Sequence, residues 1–353
     1  MRVERTKIMA TSFDMKERLG SGHFGEVWRV MDVALSTIRA LKLISPIRVF
    51  KPDNIFHEAQ VLKSAEHPNV VRVEETGTMA DGRIYIAMEY LPKGSLEDEA
   101  KGAYVALTRA HRIMIDVLRG LQHAHERKIL HCDIKPANIM VGNSNEGKLS
   151  DFGLAIPSGV DFHSLGVKDY AYVIHLAPEV IRHRNYSVQS DIYATGVTMY
   201  RLVNGDGYLP TIDPLTRRQA ILDGEYPNRS RYREFVPRPL RTFINRAMDP
   251  LAGRRFKSAE EMRHALERIT LQMNWIESIT MDGMRWVCGW NNKCYEVIRS
   301  AHKNKTWSVE YKKGNSKHDL RRITPLCGKG MSKTKAEQLT RRILQDGVLE
   351  RLN

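Results

Sequence analysis

Four polar side chains between residues 133 and 151 have the types and spacing needed to handle a phosphoryl group. ILHCDIKPANIM carries Asp133, Lys135 and Asn138, and SDFG places Asp151 shortly afterwards. The first carboxylate could accept the proton of an attacking hydroxyl, and the lysine could neutralise charge on the group in transfer. An amide and a second carboxylate are oxygen ligands that suit Mg²⁺. These types fit phosphoryl transfer from a nucleotide, which depends on positioning and charge neutralisation.

The segments HCDIKPAN and DFG resemble the catalytic loop and metal-binding turn of the eukaryotic-type protein kinase family. The lysine two positions after the first aspartate resembles the Ser/Thr branch of that family. The resemblance implies that Asp133 positions and deprotonates the acceptor hydroxyl, and that Lys135 stabilises the transferred charge. It also implies that Asn138 and Asp151 bind Mg²⁺ and that ATP is the donor.

Upstream motifs occur in the order that this resemblance requires. LGSGHFGEVW has the family's glycine-rich pattern, Lys42 and Glu58 resemble its phosphate-orienting lysine and helical partner, and AMEYL resembles its adenine-binding hinge. Taken singly, the glycines also fit an ordinary hairpin, and Lys42 with Glu58 also fits a surface ion pair. The ATP-binding residues that the resemblance implies are Gly20, Ser21, Gly22, Gly25, Val27, Ala40, Lys42, Glu58, Met88, Glu89, Leu91 and Met140.

Downstream, three further residues extend the resemblance to about residues 13–272, and the compact helical part is similar to bacterial members of the family. Glu179 ends the segment LAPE, and Asp191 in SDIYATGV resembles the aspartate that braces the catalytic loop. Arg255 in GRRFKS resembles the arginine that pairs with that glutamate. The resemblance implies a buried acid–base pair that would be costly to break.

The chain departs from the family pattern in two places. Cys132 replaces the arginine that commonly receives an activation-loop phosphate, so we expect activity without phosphorylation of that loop. We interpret this cysteine as a small residue in the arginine's place rather than as a redox sensor. Ala171 and Tyr172 replace a usual Gly-Thr, and His175 replaces a common tyrosine, which predicts an unusual substrate or a rearranging loop.

The distribution of apolar residues predicts an α+β chain with a bilobal protein-kinase fold. After an extension at 1–12, short β-like runs bounded by Gly, Asp or Ser predict a β-rich N-lobe at 13–90. Apolar residues at three- and four-residue spacing, as in residues 108–128, then predict a helical C-lobe at 91–278. Ser258 and Glu261 have capping-box spacing at the start of one of its last helices. The last part, 279–353, predicts a small basic α+β accessory domain with three strands and a closing helix.

Residues 281–353 carry +9 of the net charge of +14, although they form only about a fifth of the chain. Gly328 to Ala336 resembles the last strand and lysine-rich helix start of double-stranded-RNA-binding domains. The alternatives are an acidic protein partner, docking on the kinase lobes, or a solvated face. Thr334 and Glu337 have capping-box spacing, and Gly347 is predicted to follow the helix.

Side-chain types in this last region favour a structural interpretation of its cysteines and tryptophans. Cys288, Cys294 and Cys327 have irregular spacing, which favours free thiols over zinc ligands. The three tryptophans of the region are interpreted as core residues rather than base-stacking platforms. They are Trp286, Trp290 and Trp307.

The composition indicates where in the cell such a chain would work. No apolar run of about 18 residues and no signal-peptide core occur, so we expect no membrane partner and a cytoplasmic location. The sequence therefore predicts a Ser/Thr protein kinase that uses ATP and Mg²⁺ on protein substrates, with an accessory domain that regulates or targets it. The alternative is a pseudokinase scaffold whose basic tail binds nucleic acid or a protein.

Overall fold

The computed structural model describes residues 13–22, 25–44, 57–157 and 173–351. Its first lobe is an antiparallel five-stranded sheet with the strand order β1-β2-β3-β5-β4 and one helix, α1. Strand β5 lies between two neighbours, and five of its six residues are buried, which explains its nearly continuous apolar sequence. The elements are β1 (Phe13–Gly22), β2 (Gly25–Asp32), β3 (Thr37–Ile44), α1 (His57–Ser64), β4 (Val73–Thr78) and β5 (Ile84–Glu89).

The second lobe is mainly helical, and its centre is a helix that is buried almost throughout, α5 (Val188–Asn204). The side chain of Ser187 caps this helix, and Ser190 returns the bond in a capping box. The apolar face predicted for residues 108–128 is the buried face of α3 (Leu107–Glu126). The remaining helices are α2 (Glu97–Gly102), α4 (Pro178–His183), α6 (Pro214–Leu222), α7 (Arg238–Ala247) and α8 (Ala259–Glu267).

Two small strand pairs lie where the lobes meet. They are β6 (Ile129–Leu130) with β9 (Ile156–Pro157), and β7 (Ile139–Val141) with β8 (Gly147–Leu149). Because β6 leads directly into the catalytic segment and β8 ends two residues before Asp151, these pairs position both halves of the candidate site.

The C-terminal region is a six-stranded antiparallel sheet with one helix, which confirms the predicted α+β class. The sheet begins at Ile276, three residues before the expected boundary, and α9 packs against β12 and β13. No helix precedes the sheet among residues 268–275, so the likeness to double-stranded-RNA-binding domains stays local. The elements are β10 (Ile276–Thr280), β11 (Gly283–Trp290), β12 (Lys293–Ala301), β13 (Trp307–Gly314), β14 (Arg321–Arg322), β15 (Gly328–Met331) and α9 (Lys333–Val348).

The predicted ends of α9 are wrong. Ser332, not Thr334, is the N-cap, because its side chain accepts a hydrogen bond from the amide of Lys335. Gly347 lies within the last turn and is buried, so it does not end the helix. The expected cap of α8 is confirmed at Ser258, whereas the Glu261 carboxylate bonds the amide of Lys257 instead of completing a box.

The C-terminal sheet is docked on the helical lobe. The Tyr104 hydroxyl donates to the carbonyl of Trp275 and accepts from the amide of Glu277. Trp275 and Trp286 are buried in the same apolar core as the helical lobe. Docking on the kinase lobes, one of the alternatives for this region, is therefore present in the structure. Among the described residues, no helix has the length and apolarity that crossing a bilayer requires.

Candidate active site

Asp191 holds the backbone of the catalytic segment. One of its carboxylate oxygens accepts from the His131 amide and from Nε2 of His125, and the other accepts from the Cys132 amide, each at 2.9 Å. Burial raises the pKa of Asp191, but the hydrogen bonds from His125 and from the loop more than offset it and lower the pKa overall. Cys132 has a φ of 65°, a backbone conformation that this anchoring can stabilise.

Asp133 lies at the centre of a compact polar group. Lys135 Nζ is 2.6 Å from its Oδ2, and Asn138 Nδ2 donates to the same oxygen and to the Asp133 carbonyl. Burial raises the pKa of Asp133, and the neighbouring Lys135 ammonium limits the rise. A carboxylate with a raised pKa is a better proton acceptor than an exposed one.

Asp151 faces Lys42 across the two lobes. Lys42 Nζ lies 2.8 Å from Asp151 Oδ1 although the two residues are 109 positions apart. Burial raises the pKa of Asp151, but the Lys42 ammonium more than offsets this and lowers it overall. The next residue, Phe152, is fully buried against the ring of His131, with ring centroids 4.5 Å apart. This packing orients the turn that carries Asp151 toward the cleft.

The expected partner of Lys42 lies only partly within the described residues. The backbone of Glu58 is in α1, as the sequence predicted, but its side chain lies outside what the structure describes. The pair of Lys42 with Glu58 therefore stays a prediction.

The donor set at the cleft fits Mg²⁺. Asn138 and Asp151 both line the cleft, and both offer oxygen atoms, which this hard cation prefers. Since Nδ2 of Asn138 donates to Asp133, its amide oxygen is the atom left to meet a cation. These two residues would hold the ion, and their role as ligands stays a prediction.

A cleft of about 390 Å³ lies between the lobes and collects most of the predicted ATP-binding residues. Several of its lining residues were missed, including Val71, Ser95 and Asp98, because their placement depends on how the lobes meet. The predicted residues that line it are Gly20, Val27, Ala40, Lys42, Met88, Glu89, Leu91, Asn138, Met140 and Asp151.

The glycine-rich segment is the hairpin of β1 and β2, and residues 23–24 at its tip lie outside the described residues. Ser21 pairs with Glu26 and Gly22 with Gly25. Gly25 has a φ of 151°, and a Cβ atom there would collide with the Leu43 carbonyl oxygen. Only glycine fits this position without a backbone shift.

The connection between the lobes begins at Glu89. Its carboxylate is directed to Lys148, so any contact of this residue with adenine would be made by its backbone. The Leu91 carbonyl accepts a hydrogen bond from the Gly94 amide at 3.1 Å, which forms a tight turn at the exit of the connection.

The predicted pair of Glu179 and Arg255 is present. Both carboxylate oxygens of Glu179 accept from the guanidinium, at 2.6 and 2.9 Å, and Arg255 also bonds three backbone carbonyls. His175 is also buried. Ala171 and Tyr172 lie outside the described residues, so the predicted rearrangement of that segment stays a prediction.

Cys132 packs as the sequence analysis expected. It belongs to a small apolar cluster with Leu130, Leu154 and Ile156. Burial, with a contribution from Asp191, raises its thiol pKa well above the ordinary value. A thiol in this environment is suited to packing and poorly suited to redox sensing.

A strand-rich lobe and a helical lobe that meet at a polar cleft define the bilobal kinase fold. The chain belongs to the protein kinase domain family, whose model matches residues 13–267. This match confirms the resemblance on which the sequence analysis relied.

Individual relatives include kinases of both specificities. Tyrosine-protein kinase FRK from Homo sapiens is 30% identical over 207 residues, which are 57% of this chain and 40% of that protein. Serine/threonine-protein kinase PknJ from Mycobacterium tuberculosis is 29% identical over 264 residues, 72% and 44% of the two chains. Aurora kinase from Eremothecium gossypii is 34% identical over 206 residues, 56% and 54%. The chain therefore spans about half the length of the curated relatives it matches.

Proposed function

We propose that this protein transfers the γ-phosphoryl group of ATP to Ser or Thr hydroxyls of protein substrates. One observation carries the proposal: Lys42 of the first lobe contacts Asp151 of the second lobe at the cleft, and Lys135 contacts Asp133 within the catalytic segment. Membership of the protein kinase domain family supports the reaction class.

Each residue of the site has a separate role, which follows from its position in the cleft. Asp133 accepts the proton of the acceptor hydroxyl, and its raised pKa favours that step. Lys135 and Lys42 place two ammonium groups where negative charge is held or develops, which stabilises the transition state electrostatically. Asn138 and Asp151 would hold Mg²⁺, which would neutralise phosphate charge when bound.

Two observations favour Ser and Thr over Tyr as the phosphate acceptors. Lys135 follows Asp133 at the spacing that resembles the Ser/Thr branch, and relatives named as Ser/Thr kinases cover more of this chain than the tyrosine kinase does. The amino acid that carries the phosphate in the product therefore decides the specificity.

The test is incubation with ATP labelled at the γ-phosphate and peptide pools that present Ser, Thr or Tyr separately. Label in the Ser and Thr pools, lost in Asp133→Ala and in Asp151→Ala, supports the proposal. The variant Asp223→Ala, at an exposed helix end, is the control and should keep its activity. Label confined to the Tyr pool would refute the specificity. No transfer by the wild type, with nucleotide binding retained, would favour a scaffold.

The accessory domain has a role in regulating or targeting the kinase in this proposal. Its contacts with the helical lobe at Tyr104 support a direct influence on the lobes. Recruitment of an acidic protein or a nucleic acid stays a prediction, and the family comparisons give no support for nucleic acid. Binding of duplex RNA that falls steeply with salt would support the nucleic-acid alternative, and no binding at low salt would refute that alternative.

A further inference from the structure

A charged contact joins the connection between the lobes to the hairpin that leads to Asp151. Lys148 Nζ lies 2.7 Å from Oε1 and 2.9 Å from Oε2 of Glu89. The side chains are only 13% and 17% exposed, respectively. Glu89 ends β5 in the first lobe, whereas Lys148 lies on β8, in register with Met140 on β7. The contact therefore spans the two lobes beside the cleft.

Hydrogen bonds hold the backbones of Glu89 and Leu149 to the same neighbouring segment, residues 69–72. Glu89 exchanges two bonds with Arg72: its amide donates to the Arg72 carbonyl, and its Oε1 accepts from the Arg72 amide. Leu149 is bonded to Asn69 and Val71 on the neighbouring segment. The strands would thus stay together without Lys148, and the ammonium has a different effect: it fixes the direction of the Glu89 side chain.

A largely buried ion pair is a poor way to gain stability alone. Its desolvation cost offsets much of the attraction, and a well-packed apolar pair would stabilise the same place equally well. A bidentate charged contact does, however, restrict geometry more than an apolar contact can. The residues that follow Glu89 include Leu91, which lines the cleft, so the direction in which the chain leaves Glu89 affects the shape of the cleft.

We propose that Lys148 is a positioning residue for the nucleotide. Through Glu89 it fixes the connection at residues 89–94, against which the purine ring lies, and it touches neither the nucleotide nor the metal. Because β8 ends two residues before Asp151, the same strand sets the purine end and the phosphate end of the cleft at a constant separation. This inference rests on the proposed function, since it assigns the cleft to a nucleotide.

The test is Lys148→Met, which keeps the length of the side chain and removes its charge. We expect binding of Mg-ADP and of AMP, measured by calorimetry, to weaken by the same factor, about three- to tenfold. The KM for ATP should rise in parallel while kcat changes by less than about twofold, because the groups around Asp133 are undisturbed. A merely structural role would not separate KM from kcat in this way.

Two variants serve as matched controls. Lys148→Arg keeps the charge but replaces the compact ammonium with a planar fork, so its affinity should lie between those of Lys148→Met and the wild type. Lys63→Met removes the exposed ion pair of Lys63 with Glu66, 2.6 Å apart at the end of α1, and should bind nucleotide like the wild type. If Lys148→Met does not fold, Glu89→Gln gives the same test, because its amide oxygen can still accept from the Arg72 amide.

The outcomes separate this inference from the proposed function. Equal affinities for the wild type and for folded Lys148→Met would overturn the positioning role and leave the kinase proposal intact. A loss confined to Mg-ADP would assign Lys148 to the phosphate end and would also overturn it. A wild type that binds neither Mg-ADP nor AMP would refute the proposed function itself.

Discussion

Asp191 shows how a single carboxylate can hold the backbone of the catalytic segment in place. It accepts hydrogen bonds from two consecutive loop amides and from a histidine ring, and it is almost fully buried. Both of its oxygens are in use. An asparagine at this position would place its amide nitrogen against one of these donors, and the buried contact would become repulsive.

We therefore predict that Asp191→Asn lowers the free energy of unfolding by about 3 kcal/mol. This is the size expected when a buried charged group that accepts several hydrogen bonds is replaced. The rate of phosphoryl transfer should fall further than the loss of folded protein alone would explain, since the loop that carries Asp133 loses its anchor. Chemical denaturation and labelled-ATP assays measure the two effects. Asp223→Asn, at an exposed helix end, is the control. An Asp191→Asn protein as stable as the wild type would contradict the argument.

The lowered pKa of Asp191 predicts a pH dependence with a definite sign. A carboxyl whose pKa is lower in the folded state contributes stability above its unfolded pKa, and that contribution is lost as pH falls through the folded pKa. The difference in unfolding free energy between wild type and Asp191→Asn should thus be constant near neutral pH and shrink below about pH 4. Denaturation curves from pH 7 downward measure it. A difference that widens on acidification would have the wrong sign.

Cys132 is predicted to be chemically inert in the folded protein. Its burial and raised pKa keep the thiolate scarce, whereas Cys294 is partly exposed. Iodoacetamide should label Cys294 at least about tenfold faster than Cys132 under native conditions, as followed by mass spectrometry. After denaturation the two rates should become similar, which is the control. Preferential native labelling of Cys132 would support the redox interpretation instead.

At the scale of elements, the sequence predicted those parts that depend on local pattern. The buried face of α3 follows from apolar spacing, and the cap of α8 from Ser258. The N-cap of α9 was misplaced because Ser332 and Thr334 are both good caps, and only the backbone conformation distinguishes them. The sequence carries no local signal for the contact of Glu89 with Lys148, because the two residues are 59 positions apart.

The hairpin of β1 and β2 offers a paired test of its glycines. Gly25→Ala places a Cβ against the Leu43 carbonyl, whereas a Cβ at Gly20 meets nothing within 4 Å. We expect Gly25→Ala to weaken Mg-ADP binding by about tenfold or more, and Gly20→Ala to have a clearly smaller effect. Calorimetry on both variants measures this. Equal losses would mean that the hairpin accommodates the methyl group by moving.

At the scale of the whole molecule, the sequence predicted three units but left open how the third relates to the others. Its compositional boundary was visible in the charge distribution, and motif order defined the lobes. The docking contacts were not predictable, because they join residues far apart in the chain, such as Glu234 with Arg299. No motif or spacing distinguishes such residues from an ordinary charged surface before the fold is known.

Arg233 is the centre of this interface. Its guanidinium lies over the rings of Tyr104 and Tyr208, at 4.4 and 4.6 Å from their centroids, and it pairs with Glu277 on β10. Burial lowers its pKa, because the charged guanidinium is partly removed from water. A desolvated pair of this kind couples the stability of the sheet to that of the helical lobe.

A double-mutant cycle with Arg233→Met and Glu277→Gln measures that coupling. We expect an interaction energy of about 1–3 kcal/mol in unfolding free energy, because the pair is shielded from water and ordered by two aromatic rings. The matched control is the exposed pair of Arg246 with Glu261 within the helical lobe, where a cycle should give about 0.5 kcal/mol. A single calorimetric transition in the wild type should accompany a large coupling, since the docked units then unfold together. If the interface cycle gives no more than the control, or if the wild type melts in two separate steps, the accessory domain behaves as an independent attachment and its contacts cannot transmit regulation to the cleft.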